Sequence, residues 1–111
     1  MKRMERNDLK NMMDRHEDFA LVEVLGADQY RKFHLPGAIN VPGGEHFAEN
    51  IRAAVPDKQK PVVVYEAGTA PGDVCAAAKS AARVLIGRGY KAVVYQEGLK
   101  DWEKSGGAVE R

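Results

Sequence analysis

Pro61-Val62-Val63-Val64-Tyr65, followed at once by Glu66, is the stretch from which the fold is read. Three consecutive valines and a tyrosine suit an extended, pleated backbone, and turn-forming residues bound the run on both sides. The absence of polar alternation predicts a strand covered on both faces, as at the centre of a parallel sheet. Immediately downstream, Glu66-Ala67-Gly68-Thr69-Ala70-Pro71-Gly72-Asp73 reads as a loop. Val74, Ala77, Ala78, Ala81, Ala82 and Leu85 then draw an apolar stripe at helical period, and the small alanines let that helix sit close on the sheet. Gly87 and Gly89 end it, Ala92-Val93-Val94-Tyr95 makes a further strand, and Leu99 with Trp102 and Glu103 predicts a short helix before Gly106-Gly107.

Upstream, Phe19 to Leu25 is an apolar run broken only by Glu23 and reads as another strand covered on both faces. Ala27 to Phe33 predicts a short helix with Tyr30 and Phe33 inward, and Pro36-Gly37 a turn. Ala38 to Val41 is a short strand, closed by Pro42-Gly43-Gly44, after which Phe47, Ile51 and Val55 support a helix. At the start, Leu9, Met12, Met13 and His16 share a helical face that Asn7 or Asp8 caps, and the charges of Lys2, Arg3, Glu5 and Arg6 read as a solvated end. Strands separated by helices imply an α/β fold, a mainly parallel central sheet with helices on both faces. In such sheets ligands sit beyond the carboxyl ends of the strands, which directs attention to the loop after Tyr65.

The chain has 111 residues, room for one domain spanning 1–111. Apolar residues form 44% and charged residues 30%, the balance of a globular protein. With 17 Lys plus Arg against 16 Asp plus Glu, no net field recommends nucleic acid or an anionic membrane as partner. No segment approaches the roughly 18 consecutive apolar residues of a membrane-spanning helix. The single cysteine, Cys75, excludes an internal disulfide and a Cys-rich zinc site. Together with an N-terminus that carries no apolar run of signal-peptide kind, it leads to the expectation of a cytoplasmic protein without metal or cofactor.

Five features in order resemble the rhodanese, or thiosulfate sulfurtransferase, family. They are Leu21-Val22-Glu23-Val24; Tyr30 with Phe33-His34-Leu35-Pro36-Gly37-Ala38-Ile39-Asn40-Val41-Pro42; Val62-Val63-Val64-Tyr65; Arg88-Gly89-Tyr90-Lys91; and Glu97-Gly98-Leu99 leading to Trp102. The order from His34 to Pro42 is the most specific of these. The resemblance implies a rhodanese-like fold and a persulfide carrier, in which a cysteine directly after the central strand takes sulfur from a donor and hands it to an acceptor. An inward-facing nest of backbone N–H groups before a helix N-terminus supports such a thiolate. Here the residue in that place is Glu66, and a carboxylate neither accepts sulfur nor attracts anionic donors. Many active members also carry Asp-Val-Arg where this chain has Glu23-Val24-Leu25, and the loop from Glu66 to Asp73 contains no Arg or Lys. Rhodanese-fold phosphatases need a Cys at the start of that loop and an Arg at its end, and neither is present.

Two readings of Cys75 stand. In the first turn of the helix that Asp73 caps, its thiol pKa falls below the unperturbed value of about 8.5 and it carries sulfur from a shifted position. Otherwise it is a small buried residue of an alanine-rich helix, the preferred reading. Glu66 likewise is either a functional carboxylate or a residue whose charge is satisfied by loop N–H groups. His34 belongs to a structural turn, His16 and His46 lack metal-site spacing, and Trp102, Tyr30, Phe33 and Phe47 read as core. The expectation is therefore a rhodanese-like module that binds a small anion, a sulfur donor or acceptor, or a protein partner at the loop after Tyr65. The alternative is a sulfurtransferase working through Cys75.

Overall fold

The computed structural model describes residues 3–66 and 76–111. The valine run forms β4 (Val62–Tyr65), and all four of its residues are buried. It is the middle strand of a five-stranded sheet built from β1 (Arg3–Met4), β2 (Ala20–Glu23), β3 (Ile39–Asn40), β4 and β5 (Ala92–Tyr95) in the order β1-β5-β4-β2-β3. Every pairing is parallel, with Glu23 beside Tyr65 and Val64 beside both Val22 and Val94. Parallel neighbours need crossovers, which the helices provide. From β2 the chain leaves through α2 (Ala27–Lys32) to β3, returns through α3 (Phe47–Ala54) to β4, and continues through α4 (Ala76–Gly87) to β5. α1 (Arg6–Asp14) and α5 (Gly98–Lys104) complete the fold.

Alternation of side chains along the strands divides the apolar residues into two cores. On one face Val22, Val62, Val64 and Val94 meet Phe47 and Ile51 of α3 and Ala78, Ala81, Ala82 and Leu85 of α4. On the other, Leu21, Val63, Tyr65 and Tyr95 meet Leu9 of α1, Leu99 and Trp102 of α5, and Leu35 and Ala38. Tyr30 and Phe33 pack against this second cluster from its margin. The small residues expected on α4 are those that let it approach the sheet, except that Ala77 is exposed and lies off the buried stripe.

Four features at the amino-terminal end differ from the expectation. Arg3 and Met4 are not a free end but an edge strand paired with Val94 and Tyr95, a pairing that a two-residue segment cannot signal on its own. Arg6 is held by Asp101 of α5 at 3.0 Å. α1 is capped by Glu5 rather than by Asn7 or Asp8, with the Asp8 carboxylate accepting the Glu5 N–H. His16 then sits outside the helix at φ 54, where Glu17 N–H reaches Met12 O and His16 N–H reaches Met13 O. This is the C-terminal closure usually made by glycine.

Candidate functional site at the carboxyl ends of the central strands

β2 sends its chain to β3 on one side and β4 sends its chain to β5 on the other, so the crevice between β2 and β4 is the switch point of the sheet. Backbone hydrogen bonds continue past the strands and fix both exits. Val24 N–H donates to Tyr65 O at 3.1 Å, Gly43 N–H to Val24 O at 3.0 Å, and Leu99 N–H to Glu66 O at 2.9 Å. Asn40 adds side-chain support, its Nδ2 donating to Leu25 O at 2.8 Å and to Glu23 O at 3.2 Å. Beyond β3 the chain turns through Gly44 at φ +124, a conformation that a side chain rarely adopts, before entering α3 at Phe47.

Glu66 leaves this frame half-buried, directly after β4. On either side in the fold are Glu45 and His46 ahead of α3, and Gln96 and Glu97 ahead of α5; Glu45, His46 and Glu97 are exposed. The described segments that leave the strands here, Val24-Leu25-Gly26, Val41 to His46, Glu66 and Gln96-Glu97, contain no Lys or Arg. Their own charge is therefore negative, which disfavours anions at close range, while at the β5 edge the Arg3 guanidinium donates to Gln96 Oε1 at 3.1 Å. Ala67, Gly68, Thr69, Ala70, Pro71, Gly72 and Asp73, and with them Val74 and Cys75, lie outside the described residues.

The motif from His34 to Pro42 positions this edge. The His34 and Tyr30 rings stack at 3.8 Å, and His34 Nδ1 lies 2.9 Å from Tyr30 O, so that nitrogen carries a proton. Tyr30 Oη donates to Ala38 O at 2.6 Å, and Leu35 N–H donates to Tyr65 Oη at 3.1 Å. His34 is thus a structural residue, as its place in the motif implied. Burial raises the Tyr65 phenol far above its ordinary value, so it serves as a neutral hydroxyl. Sequence reasoning did not single out Asn40 or Leu99 as anchors of the site, because both act through backbone carbonyls that no motif spells out. Among the described residues no group of His, Cys, Asp and Glu could hold a metal ion, and no helix is long and apolar enough to cross a membrane.

A parallel sheet of this order, with its switch point between β2 and β4, defines an α/β domain of the rhodanese type. The Rhodanese-like domain family matches residues 5–105, and the chain belongs to that family. It is 40% identical over 81 residues to thiosulfate sulfurtransferase PspE of Escherichia coli strain K12, covering 72% of this chain and 70% of that protein. The BH2092 protein from Bacillus halodurans superposes with a TM-score of 0.83 at 26% identity, covering 98% of this chain and 76% of that one. A thiosulfate sulfurtransferase from Pseudomonas aeruginosa shares the fold at a TM-score of 0.82 and 20% identity, with this chain spanning 20% of its length.

Proposed function

We propose that this chain is a rhodanese-like binding module, one domain over residues 1–111, that has set aside thiosulfate sulfur transfer at the position after its central strand. The observation that carries the reading is Glu66 directly after β4, the place at which the family resemblance leads one to expect a sulfur-accepting cysteine. A carboxylate has no sulfur to carry, and together with Glu45 and Glu97 it makes the rim unfavourable to thiosulfate. The same rim favours cationic groups on a protein partner, which the loop from Glu66 to Asp73 would engage. The single cysteine fits a reducing compartment such as the cytoplasm.

A second reading is favoured by the 40% identity to a thiosulfate sulfurtransferase. In it Cys75, the chain's one thiol, accepts sulfur as a persulfide and passes it to a thiol or to cyanide. Intact-mass analysis after incubation with thiosulfate or a persulfide donor, and then with cyanide, separates the two. The module gains no cyanide-reversible sulfur under any donor. A gain of one sulfur that disappears in Cys75→Ser overturns the first reading and establishes the second.

A further inference from the structure

The Glu23 side chain is fully buried at the end of β2, and among the described residues the Tyr65 hydroxyl, which accepts from Leu35 N–H, is the one donor that faces its carboxyl, outside close hydrogen-bond geometry to either oxygen. Its backbone carbonyl is well satisfied, accepting from Val41 N–H at 3.1 Å and Asn40 Nδ2 at 3.2 Å, so the orphaned atoms are those of the acid alone. An ionised carboxylate with a single neutral hydroxyl before it and neither Lys nor Arg beside it is costly to bury, and a neutral acid is far less so. The groups that face it are the Tyr65 hydroxyl from β4, Tyr30 from α2 and His34 from the turn, with Glu110 of the C-terminal segment 3.9 Å beyond the His34 ring. Neither Lys nor Arg is among them. Burial pushes the carboxyl above its ordinary value of 4.5, and Tyr65 and His34 only partly oppose this.

One boundary of this acid is the sheet, in which Glu23 lies between Tyr65 and Asn40. The other is the turn from His34 to Ala38, which joins the sheet only at Ile39 and is pinned ahead of it by contacts to side chains and to Glu110. Leu35 N–H rests on Tyr65 Oη, Ala38 O on Tyr30 Oη, and Gly37 N–H on the Glu110 carboxylate at 2.9 Å. His34 and Glu110 exchange both backbone hydrogen bonds at 2.8 Å. We infer that Glu23 carries its proton in the folded chain and that loss of this proton to water releases the His34–Ala38 turn together with the C-terminal residues clasping it. The device sits beside Tyr65, one residue behind Glu66, and holds whichever function the carboxyl-end rim performs.

The sign follows from proton counting. Above pH 4.5 the unfolded chain has given up this proton while the folded chain keeps it, so the contribution of Glu23 is fully present below that pH. It is lost progressively as pH rises through the folded value. NMR titration of the full chain carrying 13C-labelled glutamate carboxyls, with amide exchange corrected for intrinsic rates, tests this between about pH 4 and pH 9. The expected result is a Glu23 carboxyl that titrates above the exposed glutamates, and protection of the His34 and Leu35 amides that falls about tenfold for each pH unit above that midpoint. In Glu23→Gln, which cannot ionise, the fall is absent; should that variant not fold, coincidence of the two midpoints in the unaltered protein decides. A Glu23 already ionised at pH 5 beside a doubly protonated His34, or protection that stays level through the carboxyl titration, overturns the inference.

Discussion

At the scale of the single residue, the fold depends on a few places where a side chain and a backbone fit without slack. A methyl group at Gly107 would stand 2.3 Å from Trp102 Nε1, the atom that donates to Ala108 O at 2.8 Å. Trp102 is buried against Leu99 and Tyr95, so the indole yields only by giving up that packing and its bond to Ala108. Gly107→Ala is therefore expected to lower stability by about 1–3 kcal/mol, the usual cost of overpacking, read as a shift of the urea midpoint. Tyr65 makes a different demand. Tyr65→Phe keeps the ring but strands the Leu35 N–H in the core, a loss of about 1–3 kcal/mol in the same measurement. If the variant unfolds at the same urea concentration as the parent, the bond from Leu35 contributes nothing.

At the scale of the element, what was legible in the residues depended on how much of each element's identity is local. β4 and β5 carry β-branched and aromatic residues in unbroken runs, and the expected and observed spans agree closely, at Ala92–Tyr95 to the residue. Helices with an apolar stripe were equally visible. β1 was not, since Arg3 and Met4 become a strand only through the partner that β5 offers. The family motif from His34 to Pro42 was read as a structural turn, yet the acid it covers was seen only as a break in an apolar run and a place in a family motif, because burial of a carboxyl leaves no mark on periodicity. The candidate site was legible at Glu66, which directly follows the best strand, while its anchors at Val24, Asn40 and Leu99 depend on long-range backbone pairing. α1 shows how an element with weak internal signals is retained: Leu9 alone among its residues is buried. Leu9→Ala is expected to cost about 2–5 kcal/mol, with loss of α1 amide protection in hydrogen exchange ahead of the rest.

At the scale of the whole molecule, one sheet separates two apolar layers, and each central strand contributes to both. Val62 and Val64 face α3 and α4 while Val63 and Tyr65 face α1 and α5. Neither layer can come apart without disturbing the strands that serve the other, so the two should unfold as one cooperative unit. Leu85→Ala in the first layer and Leu99→Ala in the second are each expected to move a single thermal transition downward, in calorimetry as in circular dichroism. Two resolved transitions, with each substitution shifting only one, would divide the chain into independent units.

The hydrogen bonds from Val24 to Tyr65 and from Leu99 to Glu66 clamp the chain on both sides at the point where it departs from β4, and they do so through main-chain atoms. Side-chain identity beyond Glu66 is irrelevant to those clamps. The main chain at Tyr65 and Glu66 is consequently a fixed socket, in which a thiol can be written in place of the acid at position 66 without renegotiating the scaffold.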